Sequence, residues 1–220
     1  MANLKLENFE NGIKLYQDED LYKFTSDSIK LAKFCNIKST DNVLDMCAGC
    51  GVIGLYAYSI NPFNKIYFND IQPKMCDIIN QNIQLNNLQN KSKVICKNLK
   101  DLNLNDFDKK LDIIICNPPY FKLNGKINQE NDIAICRHEI ETNLEGIIYK
   151  ASQLLKTKGK FYLVLPADRL TECIVLLNKY KFEAKEIEML CVNNKVNICL
   201  ISSTKDAKSG VNIKISKGDL

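Results

Sequence analysis

A single histidine, His138, is all the imidazole in this chain, and its scarcity limits what metal chemistry the chain can support. Zinc sites are built from histidines and paired cysteines, and the only close cysteine pair is Cys47 and Cys50, a lone C-x-x-C. With no second pair and no nearby histidine to complete four ligands, no metal site is expected. The remaining cysteines stand singly, among them Cys35, Cys76, Cys96, Cys116, Cys173, Cys191 and Cys199, and read as reduced core thiols. No apolar run approaches the roughly 18 residues of a membrane span. The first twenty residues lack the basic start and apolar block of a secretory leader, so a cytoplasmic location is expected. Charge of one sign is also scarce: 30 lysines and arginines against 26 acids leave +4. That is compatible with a nucleic-acid partner without arguing for one. Repeats, low-complexity tracts and long linkers are missing too. A chain of 220 residues suits one α/β domain with a buried core.

The pattern alternates strands with helices. After an irregular start, Thr25-Ser26-Asp27-Ser28 offers capping oxygens before Ile29, Ala32 and Cys35 on one helical face, a helix reaching about Asn36. Val43 to Cys47 reads as a buried strand, followed by a glycine-rich turn and a helix from Val52 toward Tyr58. A strand from Lys65 ends at Asp70, and Pro73 opens a helix carrying Cys76, Ile79 and Ile83. Lys93 to Cys96 and Asp112 to Cys116 are further strands, with a short helix or loop at Leu99 to Phe107 between them. Leu144 to Leu155 has helical spacing, Gly159 breaks the chain, and Lys160 to Leu165 returns as a strand. A helix follows Pro166 and Asp168. Ala184 to Val192 and Val196 to Ser202 are joined by an Asn193-Asn194 turn. Such an order calls for a mostly parallel sheet with helices on both faces and an antiparallel edge. Ligands bind such sheets at the carboxyl ends of the strands.

Two of those ends carry recognisable chemistry. Gly49-Cys50-Gly51-Val52-Ile53-Gly54 is a G-x-G-x-x-G between a strand and a helix, and Asp70 stands at the next strand's end, where a carboxylate can accept from both hydroxyls of a ribose. A dinucleotide and S-adenosylmethionine both satisfy that pattern. Asp45, four residues before Gly49, gives D-x-x-x-G-x-G, which resembles the first motif of class I methyltransferases. The resemblance implies that Asp45 organises the loop near the cationic methionine end of the cofactor, or braces a helix as a cap. Cys47 stands where that family usually has glycine. Asn98 occupies the place where an acid commonly receives the cofactor's adenine amine, and its side-chain oxygen can accept that bond or cap the next helix. Ile71 and Leu99, beside Asp70 and Asn98, complete the candidate cofactor surface.

Asn117-Pro118-Pro119-Tyr120 follows the fourth strand at the same edge. An adenine amine is a poor nucleophile because its lone pair is delocalised into the ring. The Asn117 side-chain oxygen and the Pro118 carbonyl can take the two amino hydrogens and favour a pyramidal nitrogen. Consecutive prolines stiffen that carbonyl, and Tyr120 or Phe121 can stack on a base taken out of its stack. Asn117, Pro118 and Tyr120 are therefore the candidate catalytic residues, with Asn117 also bordering the cofactor. Lys122 and Lys126 are candidate phosphate contacts.

Over nearly its whole length the chain resembles the N-P-P-Y methyltransferases. More narrowly it is similar to the bacterial family that methylates the N6 amine of the adenosine 3′ of the anticodon in a valine tRNA. That likeness rests on Tyr22-Lys23-Phe24-Thr25-Ser26-Asp27-Ser28, on Cys50-Gly51-Val52-Ile53-Gly54-Leu55, on Asn117 to Phe121 and, less specifically, on Arg137-His138-Glu139. The resemblance implies a single Rossmann-like domain over 1–220, in which 1–40 form an N-terminal segment and helix bordering the cofactor site. It also implies seven strands in the order 3-2-1-4-5-7-6, S-adenosylmethionine as cofactor and tRNA as partner. By the same likeness Thr25 and Asp27 border the cofactor, Arg137 contacts RNA phosphate and Glu139 orients the target loop. The motif alone leaves open a release-factor glutamine or guanine N2 of ribosomal RNA as acceptor, since each is a planar conjugated amine. A nicotinamide-dependent oxidoreductase would use the glycine loop but give N-P-P-Y no role. A catalytically silent RNA-binding protein would account for Cys47 and Asn98.

Overall fold

The computed structural model describes residues 3–19, 24–118 and 143–217. Among these residues the centre is an eight-stranded sheet, with five α-helices around it. In chain order the elements are β1 (Leu4–Asn8), β2 (Lys14–Asp18), α1 (Ser26–Phe34), β3 (Asn42–Met46), α2 (Val52–Ile60), β4 (Lys65–Asp70), α3 (Pro73–Leu85) and β5 (Ser92–Cys96). There follow β6 (Leu111–Cys116), α4 (Leu144–Leu154), β7 (Leu155–Pro166), α5 (Leu170–Lys179), β8 (Phe182–Val192), β9 (Lys195–Lys205) and β10 (Asn212–Lys217). The sheet order is β5-β4-β3-β6-β7-β9-β8-β10. Its first seven members reproduce the expected order, and β10 adds an eighth strand beside β8.

Strands β3 to β7 pair in parallel, as right-handed β-α-β units require. Alternation along each strand separates two cores. Val43, Phe68 and Ile115 join a cluster with α1, α2 and α3, whereas Leu44, Tyr67 and Ile114 join one with α4 and α5. β3 is buried along its whole length, which fits a strand covered on both faces. The antiparallel strand, β9, lies between β7 and β8 rather than at the rim. Asn193 (φ 51°) and Asn194 (φ 61°) make the tight turn joining β8 to β9, because asparagine tolerates the left-handed region that such turns demand.

Three segments differ from expectation. The irregular start is a hairpin, β1 against β2; Gly12, at φ 86°, closes it. The break at Gly159 is an irregularity inside a longer strand. β7 begins directly after α4, the register against β6 shifts between Leu111 and Ile113, and Lys158 takes φ 63°. A Cβ on Gly159 would lie 2.8 Å from the Lys156 carbonyl oxygen, so only glycine fits this kink. β10, finally, runs parallel to β8 with Ile213 and Ile215 exposed. It builds no core, so its isoleucines give no burial pattern to read.

Candidate functional site

The carboxyl ends of the parallel strands β3, β4, β5 and β6 lie on one edge, and Asp45, Cys47, Gly49, Asp70, Asn98 and Asn117 stand at or just beyond them. The glycine loop turns because Gly49 (φ 56°) and Gly51 (φ 82°) occupy the left-handed region. A Cβ on Gly49 would meet nothing within 4 Å, so its face of the loop is open to a ligand. Gly54 has a different task. Its Cα lies so close to β4 that a Cβ would sit 2.4 Å from Ile66 Cδ1 and 2.7 Å from Phe68 Cε1. The three glycines thus divide the roles of sharp turn, open approach and helix-to-strand packing. Cys47 also adopts φ 59°, the conformation that explains why glycine is the commoner residue at that place.

Two carboxylates hold the loop from beneath. Asp45, fully buried in β3, accepts from the Gly54 N–H at 2.8 Å through Oδ2 and so caps α2 from the strand below. Its Oδ1 is buried with no hydrogen-bond partner among the described residues. Asp70 accepts from the Gly49 N–H at 2.8 Å and from the Gln72 N–H at 3.0 Å, one oxygen to each. Both acids therefore brace the loop, and each oxygen's second lone pair leaves capacity for a ligand. Burial also raises the Asp70 carboxyl, against its bonds from Gln72, Gly49 and Ile71.

Burial pushes the Asp45 carboxyl up to about 8; the bond from Gly54 works against the rise and the charge of Asp70 adds to it. In the unfolded chain the same group titrates near about 3.9. Between those values the folded protein keeps a proton that the unfolded chain has released. Stability is therefore highest below the lower value and declines as pH rises toward 8. Asp45→Asn is expected to flatten that decline. Urea midpoints measured at pH 5 and pH 8 check it, and an unaltered pH slope in the variant would refute the assignment.

At the end of β6, the Asn117 side chain donates through Nδ2 to Ser28 Oγ at 3.0 Å. Ser28 is buried in the first turn of α1, so this bond fixes which end of the amide faces the helix and turns Oδ1 to the other side. By sequence Ser28 stands only as a capping oxygen and as part of the Tyr22–Ser28 run, not as a site residue, because its role depends on a partner 89 positions away. Thr25 and Asp27 stand at the start of the same helix, just before Ser28. Thr25 occupies the N-cap position without a side-chain cap bond, and its hydroxyl instead donates to Asp27 at 3.3 Å. The Cys116 thiol, buried at the end of β6, is pushed up first by that burial and then by the neighbouring Cys47 thiol. Pro118 is buried next to Asn117.

At β5, Asn98 Oδ1 accepts from the Lys100 N–H at 3.0 Å and caps a short 3-10 turn. Ile71 is exposed at the same edge, whereas Leu99 is packed into the second core. Cys50 of the C-x-x-C is buried, and its thiol is pushed up to about 12 by that burial. Among the described residues no group of three potential ligands is arranged to hold a metal ion, and no helix is long and apolar enough to cross a membrane. Tyr120, Phe121, Lys122, Lys126, Arg137 and Glu139 lie outside the described residues.

Comparison with known proteins bears on this arrangement. A tRNA1(Val) (adenine(37)-N6)-methyltransferase from Flavobacteriaceae bacterium (strain 3519-10) is 25% identical over 150 residues, 68% of this chain and 62% of that protein. The chain thus spans less than two thirds of that relative. A release factor glutamine methyltransferase from Mycoplasma mycoides subsp. mycoides is 30% identical over 157 residues, covering 66% of this chain and 55% of that one. Among solved structures, Methanocaldococcus jannaschii TYW2 in complex with AdoMet superposes with a TM-score of 0.62 at 14% identity, over 93% of this chain and 87% of that one. This is the fold of the class I methyltransferases, and the oxidoreductase reading of the glycine loop is set aside. The family model of the methyltransferase small domain matches residues 28–198, from Ser28 beside Asn117 to the last strands of the sheet, and the chain belongs to that family.

Proposed function

We propose that this protein transfers a methyl group from S-adenosylmethionine to the N6 amine of an adenosine in tRNA, the adenosine next to the anticodon of a valine tRNA, leaving S-adenosylhomocysteine. The observation that carries the proposal is the Asn117–Ser28 bond at the end of β6, which orients an acceptor for an amino group beside the glycine loop. The tRNA-modifying relative supports the acceptor, and through it a cytoplasmic location.

The residues present suit this cofactor. Gly49 leaves open space, Asp45 Oδ1 is a buried polar atom without a hydrogen-bond partner among the described residues, and Asp70 stands at the end of β4 for ribose hydroxyls. Ile71, Asn98 and the backbone of Leu99, whose side chain is in the core, flank the adenine side, with Asn98 able to accept through the lone pair its cap leaves over. Thr25, Asp27, Cys47, Gly51 and Asn117 border the remainder. When bound, S-adenosylmethionine supplies an electrophilic sulfonium methyl.

Asn117 Oδ1 and the Pro118 carbonyl accept the two hydrogens of the target amine. The nitrogen lone pair then localises as transfer proceeds, and positioning does the work a strong base would otherwise do. The alkylated nitrogen is acidic enough to lose its proton to water or a nearby carbonyl. Tyr120 and Phe121 stack on the extruded base, while Lys122 and Arg137 hold phosphate. Ser28 acts through Asn117. Ser28→Ala is expected to lower the turnover rate about tenfold with little change in cofactor affinity, since one orienting bond of ordinary strength is lost. Steady-state kinetics at saturating cofactor give the answer, and an unchanged rate would exclude the role.

A second reading, a release-factor glutamine as acceptor, is favoured by the Mycoplasma relative. A valine tRNA transcript, the same transcript with guanosine replacing the adenosine 3′ of the anticodon, and a purified release factor separate the two. Transfer to the first alone supports the tRNA reading; transfer to the release factor alone replaces it.

A further inference from the structure

Helix α3 buries an amide where its neighbours are apolar. Asn82 is fully buried among Met75, Ile78, Ile79 and Ile83, a costly position unless every polar atom is bonded. All are. Oδ1 accepts from the Tyr16 N–H at 2.6 Å, and Nδ2 donates to the Tyr16 carbonyl at 2.9 Å and to the Cys50 carbonyl at 2.9 Å. One turn later Asn86 repeats the first two bonds on Lys14: its Oδ1 accepts from the Lys14 N–H at 3.1 Å and its Nδ2 donates to the Lys14 carbonyl at 2.6 Å. Four helical residues rise about 6 Å and two strand residues about 7 Å, so two asparagines at i and i+4 match alternate residues of β2. The helix satisfies the outer edge of β2 as a neighbouring strand would.

The asparagines differ in burial and in their third bond: the buried Asn82 reaches the Cys50 carbonyl of the glycine loop, whereas the half-buried Asn86 donates to the Asn82 carbonyl at 2.7 Å. The peptide between Cys50 and Gly51 is tied at its other end by the Gly51 N–H on the Ala48 carbonyl, at 2.8 Å. Asn82 therefore fixes the plane of that peptide, and the same side chain is engaged by the N-terminal hairpin.

We infer that Asn82 is a positioning residue for cofactor binding, coupling the seating of the N-terminal hairpin to the shape of the glycine loop. This rests on the reading that the glycine loop holds S-adenosylmethionine. Asn82 touches no cofactor atom in this account and acts through the Cys50–Gly51 peptide. Linkage makes the coupling reciprocal, so cofactor that favours the loop's shape also secures the hairpin.

The test uses the full chain with S-adenosylmethionine titrated into wild type, Asn82→Ala, Asn86→Ala and Asp70→Ala in a calorimeter, with thermal unfolding alongside. Each asparagine variant loses a pair of hairpin bonds, and only Asn82→Ala loses the loop bond. Asn82→Ala is expected to weaken binding about tenfold, and Asn86→Ala by less than about twofold. Equal effects of the two would overturn the inference while leaving the glycine-loop reading in place. An Asp70→Ala protein with wild-type affinity would remove the glycine-loop reading, and the inference with it. If Asn82→Ala does not fold, amide exchange on the wild type decides. The Tyr16 N–H is expected to exchange more slowly when S-adenosylmethionine is saturating, and unaltered exchange overturns the coupling.

Discussion

Asn117→Ala is expected to lower methyl transfer by about 10²–10³-fold, the usual consequence of deleting one preorganised hydrogen-bonding group from a transition state. Its effect on cofactor affinity should be far smaller, since Asp45, Asp70 and the glycine loop are untouched by the change. The disparity is the informative part. A residue that merely shaped the cofactor site would alter both quantities together, whereas one that accepts from the target amine alters the rate. On the proposed reading the Ser28 hydroxyl acts by orienting Asn117, to which it is bonded, so Ser28→Ala should cause no further loss in the Asn117→Ala background. Single-turnover rates of the two single variants and the double variant would show this, and additive losses would mean that Ser28 acts elsewhere.

Gly54→Ala is expected to destabilise the fold by about 2–3 kcal/mol, the upper part of the range for forcing a methyl group into a packed core. The new Cβ would meet Ile66 at 2.4 Å and Phe68 at 2.7 Å, both fully buried, with the Asp45 carboxylate at 3.1 Å. Relief requires α2 to move off β4, which lengthens the bond from the Gly54 N–H to Asp45 and loosens the loop. Gly49→Ala makes the contrast. It has open space but a left-handed φ of 56°, so the strain is about 1–2 kcal/mol and the core is undisturbed. Urea unfolding of both variants without cofactor is the check. A Gly54→Ala protein as stable as wild type would show that α2 is not packed against β4 as described.

The parts of this site that could be read in advance are those whose meaning is local. Asp45, Gly49, Gly51, Gly54 and Asp70 are tied to strand ends and to backbone conformations that sequence spacing reveals, and Asn117 follows directly from a run of buried isoleucines. The parallel sheet was legible for a similar reason, since strands alternating with helices call for one, whereas the strand order came only from the family resemblance. What stayed hidden depends on tertiary meetings. Ser28 looked like one more capping residue until β6 brought Asn117 to it. Asn82 and Asn86 were not singled out, because it is the hairpin beside them that gives the amides a purpose. The hairpin itself carried a signal, Asn11-Gly12 between Leu4–Leu6 and Ile13–Leu15, a turn dipeptide between short apolar alternations. Its strands are brief, and part of their support comes from α3. Asn98 shows the reverse case, where a local capping role visible in sequence is what the structure contains.

The most direct test of the account is chemical identification of the product. Purified protein would be incubated with labelled S-adenosylmethionine and bulk tRNA lacking modifications, and the RNA digested and its methylated nucleoside identified by mass spectrometry. The account predicts N6-methyladenosine, absent with Asn117→Ala. Label in any other nucleoside, or none in RNA from a protein that binds the cofactor, would contradict it.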